Sequence, residues 1–112
     1  MNTNEIMNTN TAHQLTLAEL EALPLGSVIW ISFIYEEKNG VVWHSIWPVM
    51  VCATGKDGYI IGGDRDSIFD WDIASLLKEG FTAWSMKPDD SMIPGITEEE
   101  FNALSEEATA QI

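Results

Sequence analysis

The strongest constraint on this chain is an Asn39-Gly40 pair set between two long runs of β-forming residues. Upstream stands Ser27-Val28-Ile29-Trp30-Ile31-Ser32-Phe33-Ile34-Tyr35, and the stretch from Val41 to Ala53 is nearly as rich in β-branched and aromatic side chains. Such residues fit a pleated, half-buried backbone, and Asn-Gly tolerates the positive φ that a tight connection needs. The two runs therefore predict one long antiparallel hairpin. Pro48 has no N–H for a ladder, so it must interrupt the second strand or place it at an edge. A further turn at Lys56-Asp57-Gly58 leads to a short strand, Tyr59-Ile60-Ile61, and Phe81 to Met86 reads as another, stopped by Lys87-Pro88.

Helical signals flank and interrupt this meander. Thr16 with Glu19 fits a capping box, Leu17, Leu20 and Leu23 supply an apolar stripe, and Pro24 closes a short helix. Between Asp70 and Glu79, Ile73, Leu76 and Leu77 have helical spacing, with Asp72 as N-cap and Gly80 at the C-cap position. Thr97 with Glu100 forms a second capping box, opening a helix whose stripe is Phe101, Leu104, Ala108 and Ile112. The expected class is α+β: a curved antiparallel sheet of about four strands, an SH3-like partly closed barrel being one form of it, with short helices and an acidic C-terminal helix. Residues 1–14, where Met1-Asn2-Thr3-Asn4 recurs as Met7-Asn8-Thr9-Asn10, read as a disordered polar leader, and 15–112 as a single domain.

Charge narrows the function. Eighteen acids against five bases leave −13, while 46% of the residues are apolar, as in a folded protein. That balance argues against direct binding to nucleic acid or anionic membrane and favours a basic protein partner or simple solubility. No apolar run approaches the roughly 20 residues that span a bilayer, and no basic start precedes an apolar stretch as in a secretory signal. A cytoplasmic location is expected. The lone Cys52 lies in an apolar run and reads as a structural thiol.

Catalytic patterns are absent. His44 and Cys52, eight residues apart on one strand, would lie about 26 Å apart, too far for a nucleophilic pair, and His44 reads as a surface or cross-strand residue. Asp64, Asp66, Asp70 and Asp72 lack both the glycine and the closing glutamate of a calcium loop. No zinc set or phosphate loop occurs, so no metal, cofactor or enzymatic role is expected.

Two acidic concentrations remain as candidate partner-binding sites. One is Asp64, Asp66, Asp70 and Asp72. The other lies in a tail that holds seven acids and no base from Asp89 onward: Glu98, Glu99, Glu100, Glu106 and Glu107. Glu98 to Glu100 are also what a helix N-terminus favours. Glutamates three or four residues apart on a helix lie about 5–6 Å from each other, a spacing comparable to successive phosphates. Trp43 and Trp47 share one strand face if the register is intact; packed inward they are core, exposed they form an aromatic anchor.

Leu23-Pro24-Leu25-Gly26-Ser27-Val28-Ile29-Trp30-Ile31 and Phe81-Thr82-Ala83-Trp84-Ser85-Met86-Lys87-Pro88 resemble a pattern in small accessory proteins of bacteriophages and prophages. That resemblance covers residues 16–88 and carries no catalytic residue. It implies a setting in which small acidic proteins include inhibitors of host defence such as anti-CRISPR proteins, some of which imitate DNA. The expected function is inhibition or modulation of a host nucleic-acid-handling enzyme, an RNA-guided nuclease among them, through its basic surface. The alternative is an assembly module whose sheet and tryptophans make the contacts. Oligomeric state is not legible.

Overall fold

In the computed structural model, which describes residues 11–63 and 68–110, with side chains over 11–62 and 70–105, the expected hairpin forms the middle of the sheet. Strand β1 (Val28–Glu36) pairs antiparallel along its whole length with β2 (Val42–Ala53), from Val28 opposite Met50 to Glu36 opposite Val42. The connection is a three-residue loop. Gly40 N–H donates to the Glu37 carbonyl and Glu37 N–H to that of Val41, while only Gly40 takes positive φ, at 89°. This is a turn followed by one left-handed residue, so Asn39 does not share the left-handed role; its Oδ1 instead accepts from Val41 N–H.

Strand β3 (Tyr59–Gly63) pairs with the far half of β2, and β4 (Ile68–Asp72) pairs with β3. On the other side, β5 (Thr82–Trp84) pairs with β1. The two-residue β6 (Ile96–Thr97) runs parallel to β2 at Trp43 and His44. The α+β class holds, with six strands where about four were expected. The sheet is open, in the order β4-β3-β2-β1-β5 with β6 on β2, so the barrel does not form.

Pro48 neither interrupts β2 nor stands on an outer strand; it lies opposite Trp30 in the central pair. Val51 N–H donates to the Ser27 carbonyl, and bonds alternate along an antiparallel pair, so the Pro48 nitrogen faces away from β1. It falls in the stretch of β2 between the part paired with β6 and the part paired with β3. No ladder bond to β1 is lost there.

Helix α1 (Leu17–Glu21) starts at the expected capping box: Glu19 N–H donates to Thr16 Oγ1 at 3.2 Å and Thr16 N–H to Glu19 Oε1 at 3.0 Å. The bonds from Thr16 hold the Glu19 carboxyl below its ordinary range. Helix α2 (Ile73–Leu76) starts where expected but ends earlier than its apolar spacing suggested, with Leu77 as its C-cap and residues 77–80 in a turn. Asp72 occupies the N-cap position without a side-chain bond. Past α2, Phe81 N–H donates to Leu76 and Gly80 N–H to Leu77, with Gly80 at φ 96°, the doubled bond pattern of a glycine-ended helix. Helix α3 spans Glu98–Ala110. Among the described residues no helix is long and apolar enough to cross a membrane.

The sheet is packed on both faces. Ile29, Ile31, Val49, Val51, Ile60 and Ala83 point to one side and meet Leu15, Leu20 of α1 and Ile73 and Leu76 of α2. On the opposite side, Trp84 packs with Ala12 and Ile93, flanked by Trp30 and Ile46. Residues 11–14, read from composition as leader, belong to this structure. Gln14 bridges to Trp84, Leu15 N–H donates to the Ala83 carbonyl and Ser85 N–H to that of His13. Backbone pairing needs no apolar period, which is why composition does not reveal it; residues 1–10 lie outside the described chain. Trp84 also donates from Nε1 to the buried Ser32 Oγ at 2.8 Å. Trp84→Phe is expected to lower unfolding free energy by about 1–3 kcal/mol, since Ser32 loses a buried partner; urea denaturation measures it.

Candidate functional site

The candidate site grows from the end of the chain. After β5, residues 85–97 cross the sheet as a strap, turning at a 3-10 segment, Asp90–Met92, before β6. The strap is fastened at His44, which is 1% exposed and so, of the two expected placements, not a surface residue but a cross-strand one, opposite Ile34 and Thr97. One ring nitrogen, Nε2, lies 2.7 Å from Asp90 Oδ1 and the other, Nδ1, 3.1 Å from the Pro94 carbonyl. A carboxylate and a carbonyl both accept, so the two contacts are satisfied together when each ring nitrogen carries a hydrogen. Burial of Ile93 beside Trp84 completes the attachment.

The fastened strap delivers Thr97 as the N-cap of α3. Glu100 N–H donates to Thr97 Oγ1 at 3.1 Å, and Glu100 Oε1 accepts from Thr97 N–H at 3.3 Å, the second expected capping box. Glu98, Glu99 and Glu100 all stand exposed in this first turn. Thr97→Ala should cost about 1 kcal/mol, seen as loss of helical ellipticity and faster amide exchange over residues 98–103. Phe101 anchors the helix by stacking on Trp43 at 4.5 Å, but Leu104, next on the expected stripe, is 50% exposed. Ala108 has no described side chain and Ile112 lies outside the described residues. A cleft of about 610 Å³ opens between the strap, β2 and α3, lined by Ser45, Ile46, Lys87, Asp90, Glu98 and Glu99 among others.

The other expected acids are placed differently. Asp70 and Asp72 are exposed on β4 and, two residues apart, share one face of the sheet. Asp64 and Asp66 lie outside the described residues. Glu106 and Glu107 lie on α3, without described side chains. The acids thus stand on separate elements, β4 beside β3 and α3 on β2 and β6. Among the described residues both ion pairs involve histidine, His13 with Glu19 and His44 with Asp90, and no lysine or arginine is paired with a carboxylate. No group of three or more His, Cys, Asp or Glu side chains suited to a metal ion occurs among them.

Trp43 and Trp47 do share a face, and both are half-buried. They belong to an aromatic relay that sequence reading missed. Phe101 stacks on Trp43, Trp43 on Tyr35 at 4.1 Å, Tyr35 meets Phe33 edge-on, and Phe33 touches Phe81 at 4.8 Å. Phe81 in turn meets Trp47 and Trp71. The relay ties α3 to the main core through rings that each keep part of their surface in solvent. The shared odd numbering of Phe33, Tyr35, Trp43 and Trp47 was its available signal. His44 and Cys52 lie eight residues apart on the unbroken β2, and Cys52 is half-buried. No protein-family model, curated protein or solved structure matches this chain.

Proposed function

We propose that this is a non-catalytic, phage-type accessory protein that acts in the cytoplasm of a bacterial host, where it inhibits or modulates a nucleic-acid-handling enzyme. It docks exposed carboxylates on the enzyme's basic surface, in the manner of an anti-CRISPR protein that occupies the nucleic-acid channel of an RNA-guided nuclease. The observation that carries this reading is the unspent charge: a chain of net charge −13 pairs none of its described carboxylates with lysine or arginine. Glu98 and Glu99 are held outward on a helix whose start is fixed by the Thr97–Glu100 box and the His44–Asp90 fastening. A rigid display loses less freedom on docking than a flexible acidic tail would. Long-range attraction then steers the protein to a basic groove.

The half-exposed aromatic relay favours a second reading, an assembly module whose rings make the contacts while charge keeps it in solution. Salt separates the two, because docking between exposed charges is screened within about 10 Å at 0.1 M salt and 3 Å at 1 M. The test is affinity capture from nuclease-treated host lysate, washed at low and high salt, with mass spectrometry of what is retained. A nucleic-acid enzyme released by high salt is the expected result. A salt-resistant structural partner, or no partner, would replace this reading with the assembly module.

A further inference from the structure

The strap covers one face of the sheet for only part of its length. Near the β1–β2 turn it closes over His44, with Ile46 beside Ile93 and Trp84. Toward the opposite end none of the described elements packs on the same face, and its residues there are apolar. Val28, Met50 and Ile61 form a cross-strand row over β1, β2 and β3; Val28 is 60% exposed and Met50 47%. Pro48 and Tyr59 extend the patch and are also exposed. A solvated antiparallel face ordinarily carries polar residues at these alternate positions, and a contiguous apolar patch rimmed by polar groups marks an interface.

Both signs of charge border the patch. On the β4 side Asp70 continues the row beyond Ile61, and Asp72 lies opposite Tyr59. On the strap side the Lys87 ammonium sits 5.5 Å over the Trp30 ring, and Trp30 pairs with Pro48.

We propose that a second copy of this chain covers the patch, sheet against sheet across a two-fold axis, with Asp70 and Asp72 of each copy over Lys87 of the other. An isologous interface must be self-complementary. An apolar centre with acids on one side and a lysine on the other meets that condition when the axis lies between the sheets, perpendicular to the line from acids to lysine. Facing sheets pack about 10 Å apart, which lets Met50 and Val28 of the two copies interdigitate. The net charge of −13 on each copy opposes association, and exposed rim pairs offset little of it. The dimer is therefore weak and tightens as salt screens the repulsion. Docking on a basic enzyme responds in the opposite sense, so either proposal can fail without the other.

The test is sedimentation equilibrium of the full chain over a wide concentration range at low and high NaCl. The expected mass rises from 12.5 kDa toward twice that value, at lower protein concentration when salt is high. Met50→Asp should raise the dissociation constant at least about tenfold, corresponding to 1.4 kcal/mol, with an unchanged circular dichroism spectrum because Met50 is exposed. Leu104→Asp, on the exposed side of α3, should leave it unchanged. A monomer at every concentration in high salt overturns the proposal. So does a dimer lost with Leu104→Asp but kept with Met50→Asp, which assigns the contact to α3.

Discussion

Replacing His44 with leucine should lower the free energy of unfolding by about 2–4 kcal/mol, enough to move the thermal midpoint of a domain this size by roughly 10 °C. The ring is 1% exposed and makes both the Asp90 and the Pro94 contacts. Leucine keeps much of the apolar contact but removes the bonds to both Asp90 and the Pro94 carbonyl. Asp90 recovers water more readily, since its side chain is 57% exposed. The asymmetry gives an internal check: Asp90→Asn, which retains a side-chain oxygen able to accept from Nε2, should cost less than His44→Leu. Urea denaturation of both variants measures the difference. A loss below about 0.5 kcal/mol for His44→Leu, within the range of ordinary surface substitutions, would mean that Ile93 packing alone holds the strap.

The largest effect on binding is expected from reversing charge at the start of α3. Glu98→Lys with Glu99→Lys turns two negative charges into two positive ones at the outward turn, and affinity for the captured enzyme should fall about 30–100-fold, or 2–3 kcal/mol. Folding should survive, because both side chains are exposed and Thr97 and Glu100 retain the capping box. The less favourable helix-dipole interaction costs about 0.3–1 kcal/mol per reversed group at most surface sites. The companion double variant, Asp70→Lys with Asp72→Lys, reports on the β4 edge. Unchanged affinity in both doubles would remove the acidic-docking account.

What the sequence made legible follows the range of the interactions involved. Both capping boxes rest on contacts within a few residues and stand where expected, whereas α2 has its C-cap at Leu77 and Gly80 closes the turn beyond it. The hairpin is set by its turn and by alternation along two neighbouring runs, so its register also preserves the shared face of Trp43 and Trp47. The burial of His44 depends on Asp90, 46 positions away, and the placing of His13 on Ser85, 72 positions away. No local pattern carries such pairings. Strand β4 is a different case: Phe69-Asp70-Trp71-Asp72 alternates with period two, and the helical spacing of Ile73, Leu76 and Leu77 obscured it. Pro48 was excluded from a central strand by a rule that assumes both edges are paired, whereas β2 is unpaired by β3 or β6 just where proline lacks its donor.

The acidic candidates were legible as residues but not as a surface. Composition cannot say that Asp70 and Asp72 line an apolar sheet face while Glu98 and Glu99 border a cleft on another element.

The central claim is that the protein and a nucleic acid compete for one basic surface. The direct measurement is displacement: fluorescently labelled protein bound to the captured enzyme is titrated with that enzyme's own nucleic-acid ligand at constant ionic strength. The account predicts complete displacement, with a midpoint that rises in proportion to the concentration of labelled protein once the enzyme is saturated. A stable ternary complex, with the label retained at saturating nucleic acid, would contradict it.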